Sequence, residues 1–215
     1  MLVACWSAKG GAGTTVVAAA LALLLARRSP AGAVLADLAG DVPAVLGLTD
    51  ATQPGLAGWL SAGDEVPVDA LSRLEVAAGD GLAVLPRGDG PLVARRADVL
   101  AAVLDNGARP AVVDCGADLN PAVVAVGRAA PRSLLVLRPC YLALRRAQLA
   151  PLRPTEVVLV REPGRALGRV DVERVIDAPV MAEVEADPTV ARAVDAGLLA
   201  ARLPRSLERA LRHAA

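Results

Sequence analysis

The sequence is poor in lysine and in aromatic residues. Of its 23 lysine and arginine side chains, only Lys9 is a lysine. Aromatic residues make up 1% of the 215 residues and phenylalanine is absent, so a chain that is 54% hydrophobic must build its core from alanine, valine and leucine. Such small side chains allow helices to pack closely against a sheet. At this length we expect a single domain, 1–215.

Net charge, paired cysteines and long apolar segments are lacking as well. Acidic and basic residues number 23 each, so no general attraction to nucleic acid or anionic lipid is expected. The three cysteines form no CxxC pair and would leave one unpaired in any disulfide scheme, which favours a reducing compartment. The longest apolar run, 16–26, is too short to span a bilayer and does not resemble a signal peptide. These absences predict a cytoplasmic protein.

Apolar runs alternate with helix-like stretches along the whole chain. Most of the runs are apolar at every position, which is typical of strands that are covered on both faces. The alternation predicts an α/β fold, in which a doubly wound and mostly parallel sheet carries helices on both faces. The predicted strands are 2–6, 33–37, 82–86, 111–114, 133–137, 156–160 and 178–181, and the predicted helices are 14–28, 91–106, 121–130, 141–150, 170–177 and 188–196.

Two further segments have a less regular or a different character. The segment 52–73 is the least regular, and it is interpreted as an insertion that covers the sheet. In the stretch 203–213, Leu203, Leu207 and Leu211 fall on one helical face, opposite arginine and glutamate. Such a helix most often docks on the core, and peripheral contact with a membrane surface is the alternative.

Lys9 opens a glycine-rich loop, 9–15, that directly follows the first predicted strand. Its glycines permit conformations in which successive N–H groups point inward, and a slim ammonium group fits against a phosphate in a tight loop. Ligands of doubly wound folds bind at the carboxyl ends of the strands, where Asp37 and Asp114 each close a predicted strand. The Thr15 hydroxyl and these two carboxylates therefore form a candidate Mg²⁺ site.

Together these segments resemble the ParA/MinD type of deviant Walker A ATPases almost end to end. Residues 9–15 resemble the phosphate loop, with Lys9 in the place of the lysine that reaches across a nucleotide-bound dimer, and 112–114 resemble the Walker B strand. Asp37 followed by 40–48 resembles the switch region of the CpaE/TadZ branch, which helps to place pilus machinery. Residues 178–180, 184–188 and 193–197 resemble the C-terminal pattern of the family, which includes a loop that borders the adenine.

The resemblance implies a P-loop nucleotide-binding domain with ATP and Mg²⁺ as cofactors. It implies catalytic roles for Lys9, Asp37 and Asp114, and Mg²⁺ ligation by Thr15, Asp37 and Asp114. CpaE-like proteins often carry a receiver-like domain before the ATPase, and none is expected here because the sequence begins at the first strand. The residues implied in nucleotide binding are Lys9, Gly10, Gly11, Ala12, Gly13, Thr14, Thr15, Arg161, Glu185 and Asp187.

Four positions depart from the pattern of the family. Thr14 stands in the place of a second lysine, which contacts the β- and γ-phosphates, and Ala39 replaces a second aspartate of the switch region. Glu185 replaces a proline, and Arg161 replaces an asparagine that commonly contacts adenine. The change at position 14 removes positive charge where phosphoryl transfer requires it. The departures together predict slow ATP hydrolysis or none.

Three functions are compatible with these features. The favoured hypothesis is an ATP-binding spatial regulator that forms a nucleotide-stabilised homodimer and recruits protein partners at a cell pole or septum. A second is a ParA-like partition protein that binds DNA through Arg145 and Arg146, although a solvated helix face with neighbouring acids is the favoured explanation because the net charge is zero. A third is a structural subunit that has lost its nucleotide, against which the retention of Lys9 argues.

Overall fold

A computed structural model describes residues 1–49, 55–63 and 66–215. Within these residues the chain forms eight strands, nine α-helices and two 3₁₀ turns, Val68–Leu74 and Ala94–Arg96. In chain order the strands and α-helices are β1 (Leu2–Trp6), α1 (Thr14–Arg28), β2 (Ala33–Asp37), α2 (Val42–Leu46), α3 (Leu56–Ser61), β3 (Val76–Ala77), β4 (Leu82–Leu85), α4 (Ala97–Asn106), β5 (Ala111–Asp114), α5 (Pro121–Ala129), β6 (Arg132–Leu137), α6 (Tyr141–Leu149), β7 (Glu156–Arg161), α7 (Arg169–Ile176), β8 (Val180–Glu185), α8 (Pro188–Asp195) and α9 (Arg205–Leu211).

The strands form one sheet in the order β3-β4-β2-β5-β1-β6-β7-β8. The described strands β4, β2, β5, β1, β6, β7 and β8 are mutually parallel, while β3 pairs antiparallel with β4 at one edge. Every residue of β1, β2 and β5 is buried, as their uninterrupted apolar runs predict. The predicted doubly wound, mostly parallel sheet is therefore confirmed.

Helices cover both faces of this sheet and divide the core into two layers. On one face lies α1, of whose residues Val17 to Ala26 are all buried, together with α2, α8 and α9. The other face is covered by α3, α4, α5, α6 and α7. Trp6 fills this second layer, and its indole N–H donates a 2.9 Å hydrogen bond to the Ser133 hydroxyl. Cys5 and Cys115 are buried among apolar side chains and carry free thiols.

The terminal amphipathic stretch forms α9 and docks on the core. Its apolar face is buried against β8 and α1, with Leu207 and Leu211 at most 1% exposed. The end of the chain is held by Arg28, which donates 2.6 Å hydrogen bonds to the carbonyl oxygens of Arg212 and Ala215. The leucines that suggested a membrane-facing surface are therefore used inside the protein. Among the described helices, none combines the length and hydropathy needed to cross a bilayer.

Several predicted boundaries are wrong, each for a local reason. Strand β8 extends to Glu185 rather than ending at residue 181, because Ala182 and Val184 face the core while Glu183 points towards arginine side chains. Helix α4 begins at Ala97 rather than at 91, after the 3₁₀ turn Ala94–Arg96. Helices α2 and α3 and strand β3 were not predicted. Of the irregular segment 52–73, residues 52–54 and 64–65 lie outside the described residues.

Candidate functional site

The loop between β1 and α1 opens towards solvent at the carboxyl edge of the sheet. Gly11 and Gly13 adopt φ angles of 75° and 92°, a left-handed conformation that favours glycine. No heavy atom lies within 4 Å of the position that a Cβ would take on Gly10, Gly11 or Gly13. Within the described residues no side chain caps α1 at Gly13, so the first N–H groups of this helix are available to an anion.

In front of the loop lies a cleft of about 660 Å³. This volume falls in the range of small-molecule and cofactor sites. One wall is formed by residues 10–16 and the opposite wall by the loop after β2 and by Arg87. Further lining comes from the segment after β5, including Cys115, Asp118 and Asn120, and from Val194 and Asp195 at the end of α8.

Asp37 lies beneath this cleft, fully buried at the end of β2. One carboxylate oxygen accepts hydrogen bonds from the N–H groups of Ala39 (2.9 Å) and Gly40 (2.6 Å), and the other accepts one from Val42 (3.1 Å). Burial raises the pKa of Asp37, while these N–H groups act in the opposite direction. Asp37 thus holds the loop that leads into α2 in a fixed conformation.

Asp114 is the register partner of Asp37 on the neighbouring strand β5 and is also fully buried. Its Oδ1 accepts a 3.1 Å hydrogen bond from the Gly116 N–H, whereas its Oδ2 has no hydrogen-bond partner among the described residues. Burial raises the pKa of Asp114 to about 7; the nearby Thr15 hydroxyl lowers it and Asp37 raises it further.

The unpaired oxygen of Asp114 indicates whether Asp37, Asp114 and Thr15 could together bind a cation. A buried carboxylate oxygen without a partner is costly, and a divalent ion beside it would remove that cost. The described residues contain no group of three or more acidic, histidine or cysteine side chains suited to a metal. Mg²⁺, however, commonly takes only one or two carboxylates and completes its shell with phosphate oxygens and water. Asp114, with Asp37 and Thr15 beside it, fits that kind of shared Mg²⁺ site.

The two loop residues Lys9 and Thr14 lie on different sides of the loop. Thr14 lines the cleft and is 6% exposed, so this position of the loop carries a buried hydroxyl side chain. Lys9 is exposed and lies next to Arg138 and Ala143 rather than among the residues that line the cleft. The positive charge of the loop therefore faces outward.

The three predicted base-binding residues lie away from the residues that line this cleft. Arg161 forms ion pairs with Glu183 (3.0 Å) and Glu185 (3.7 Å) at the β7–β8 edge. Asp187 caps α8 by accepting from the Thr189 N–H (2.7 Å), and the Ser206 hydroxyl, which donates to it at 2.6 Å, is the main cause of its lowered pKa. Their predicted contact with adenine stays a prediction.

Sequence reasoning missed Arg87, which lines the cleft from the loop after β4. It also missed the contact between α2 and the segment after α8. A Cβ atom on Gly47 would overlap the carbonyl oxygen of Gly197, and both glycines have positive φ angles. A glycine-rich turn after a parallel strand, as at 86–91, was the available signal for Arg87. The close approach of Gly47 and Gly197 leaves no recognisable pattern in the sequence near either residue.

No protein-family model matches the chain, and no curated protein matches it. Solved structures do match. A ParA family ATPase from Chlorobium tepidum is 22% identical with a TM-score of 0.80, covering 98% of this chain and 95% of that one. The septum site-determining protein MinD from Pyrococcus horikoshii, complexed with Mg-ADP, is 19% identical with a TM-score of 0.78, covering 98% and 93%.

A third similar structure is the MinC:MinD cell division complex from Aquifex aeolicus. It is 19% identical with a TM-score of 0.73, covering 91% of this chain and 85% of that one. At these identities the likeness concerns the fold. The chain therefore has the P-loop fold that the ParA and MinD ATPases share.

Proposed function

We propose that this chain is an ATP-binding spatial regulator of the ParA/MinD type, in which nucleotide binding stabilises a homodimer and hydrolysis is slow or lost. The shared fold supports the general class. The open glycine loop, the free first turn of α1 and the unpaired oxygen of Asp114 support Mg²⁺ and a nucleotide as ligands. When bound, Mg²⁺ would neutralise phosphate charge next to Asp114.

The buried Thr14 is the observation that carries the weak-hydrolysis part of the proposal. A loop of backbone N–H groups binds phosphates in the ground state without a side-chain cation. Phosphoryl transfer additionally requires positive charge fixed near the transferred group, and position 14 supplies only a hydroxyl. The site is thus better suited to holding a triphosphate than to cleaving it.

The exposed Lys9 supports the dimer. Because it lies outside the cleft, it is accessible to a second molecule without leaving its place in the loop. More specifically, we propose a CpaE/TadZ-like role at a pilus or septum, in which the dimer recruits protein partners. The crystallised complex of a similar MinD with MinC supports a protein as the kind of partner.

Calorimetry with Mg-ATP, followed by a phosphate-release assay, tests this function. We expect wild-type protein to bind ATP and to release phosphate barely above background. Thr14→Lys should raise phosphate release at least tenfold by restoring the missing charge, since a single stabilising group of this kind is worth about 10²–10³ in rate. Thr14→Ser, which adds no charge, is the matched control.

Two outcomes contradict the proposal in different ways. Rapid turnover by the wild-type protein would exclude a weakly hydrolysing regulator. Absence of ATP binding at millimolar nucleotide would exclude a nucleotide switch and favour a structural subunit that keeps only the fold.

A further inference from the structure

Arg87 is the sole basic side chain among the described residues that line the cleft. The acidic lining residues are Asp41, Asp118 and Asp195. Within the described residues the Arg87 guanidinium forms no ion pair, and its one hydrogen bond goes to the neighbouring Gly88 carbonyl at 3.3 Å. A half-buried guanidinium with five donors is thus left with most of its hydrogen-bonding capacity unused.

The backbone around Arg87 is held in place by α3. The N–H of Leu56 donates to the Pro86 carbonyl at 2.9 Å, and the N–H of Ala57 donates to the Arg87 carbonyl at 2.8 Å. Gly55 permits this approach, since a Cβ at that position would overlap the Pro86 carbonyl oxygen. Two consecutive carbonyls are fixed by a helix N-terminus, so the loop presents Arg87 from a defined position.

The aliphatic part of the Arg87 side chain passes over the loop that follows β2. A Cβ on Gly40 would lie 3.3 Å from Cδ of Arg87, and Gly40 has a φ angle of 103° that favours glycine. Gly40 also donates its N–H to Asp37. The arginine therefore crosses directly above the segment that Asp37 holds, on its way to the cleft.

Strand order places Arg87 at the far end of the cleft from the phosphate loop. Four features lie in a row along the carboxyl edge of the sheet. In the order of the strands they are Arg87 after β4, Gly40 after β2, Asp114 at the end of β5 and the loop 9–15 after β1. Neighbouring strands are about 4.8 Å apart, so roughly 14 Å separate the two outer strands. The candidate Mg²⁺ residues Asp37 and Asp114 end the two strands that lie between them, where they could hold a metal that neutralises phosphate charge.

From this arrangement we infer that Arg87 binds the terminal phosphate of a nucleoside triphosphate from the side of the cleft opposite the phosphate loop, and that it acts in recognising this phosphate rather than in its transfer. The inference rests on the proposed nucleotide-binding function and specifies which ligand the site prefers. In such a complex the loop amides would hold the inner phosphates, Asp114 would hold the metal, and Arg87 would contact the terminal phosphate. A diphosphate ends before it reaches this side chain, so Arg87 distinguishes ATP from ADP.

Calorimetric titration of Mg-ATP and Mg-ADP into the full chain tests the inference. Arg87→Ala should weaken ATP binding about tenfold, as expected for the loss of a charge-assisted hydrogen bond, and should leave ADP binding unchanged. Arg87→Lys keeps the charge and should retain most of the affinity for ATP. Arg146→Ala, which removes an exposed arginine on α6, is the control and should change neither affinity.

Each remaining outcome has a distinct meaning. Unchanged ATP and ADP affinities in Arg87→Ala overturn the role of Arg87 while leaving the proposed function intact. Equal weakening of both nucleotides, with an unaltered melting temperature, overturns recognition of the terminal phosphate. Wild-type protein that binds neither nucleotide overturns the proposed function and this inference with it.

Discussion

Asp114 carries a carboxyl group whose pKa, raised by burial to about 7, lies far above the ordinary 3.8 that it regains in the unfolded chain. The folded state consequently binds this proton more tightly than the unfolded state. Its contribution to the free energy of unfolding is fully present below about pH 4 and decreases as the pH rises towards 7. Above about pH 7 the carboxyl group is ionised in both the folded and the unfolded state, so its contribution to the free energy of unfolding no longer changes with pH.

Asp114→Asn should remove this pH dependence, because asparagine stays neutral and can still accept from the Gly116 N–H. Without Mg²⁺ or nucleotide, we expect the variant to exceed the wild type in free energy of unfolding by about 4 kcal/mol at pH 8, because the folded pKa of about 7 differs from 3.8 and each pKa unit is worth about 1.36 kcal/mol. The difference should vanish near pH 4. Urea unfolding at several pH values measures it, with exposed Asp118→Asn as control. Parallel curves for variant and wild type would refute the prediction.

At the scale of single residues, the sequence predicts which residues lie at strand ends but not which hydrogen-bond partners their side chains have. Asp37 and Asp114 both end strands, as predicted, whereas their pairing in register on neighbouring strands was not predicted. That Asp37 has three N–H partners while Asp114 keeps a free oxygen depends on the turns that follow each strand. The placement of Arg87 depends on α3, some 30 residues earlier in the chain, and such a contact leaves no local pattern.

Among the secondary-structure elements, the fully buried strands were predicted most accurately. The bounds of β1, β2 and β5 match because their apolar runs are continuous and end abruptly. The end of β8 was missed because residues of this outer strand alternate between apolar and acidic, with Glu183 after Ala182 and Glu185 after Val184. Helix α2 has five residues, too few for a helical repeat to appear in the sequence.

Docking of α9 can be tested by comparing two leucines with opposite environments. Leu207→Ala should lower the free energy of unfolding by about 2–4 kcal/mol, because Leu207 is 1% exposed and its loss leaves a cavity. Leu149→Ala on α6, where the side chain is 76% exposed, should cost less than about 0.5 kcal/mol. Urea denaturation measures both. Equal small effects would mean that α9 is not packed on the core in solution.

For the molecule as a whole, the alternation of strands and helices was sufficient to predict a doubly wound parallel sheet. The strand order, with β5 between β1 and β2, was not predicted, because crossover connections permit several orders with the same alternation. The antiparallel edge strand β3 consists of two residues and has no recognisable pattern in the sequence. Burial of both sheet faces, by contrast, followed directly from the apolar runs.

Assembly of two molecules is expected to depend on Lys9 and on nucleotide. Light scattering coupled to size exclusion should show a dimer in Mg-ATP and a monomer in Mg-ADP for the wild type. Lys9→Ala should remain monomeric in both, yet bind ATP within about threefold of wild type, because Lys9 lies outside the cleft. Lys9→Arg keeps the charge as the matched variant. Dimerisation of Lys9→Ala to the wild-type extent would show that this lysine has no role in association.

The close approach of Gly47 to Gly197 has a mechanical consequence. Between these two residues there are no side-chain atoms, so no rotamer change can absorb a displacement of one backbone towards the other. Asp37 fixes the start of α2, and Gly47 follows its end, directly against the turn that succeeds α8. We therefore expect a shift of the loop after β2 to be passed on to α8 as rigid-body motion, which would link the buried carboxylate of Asp37 to the outer surface of the protein.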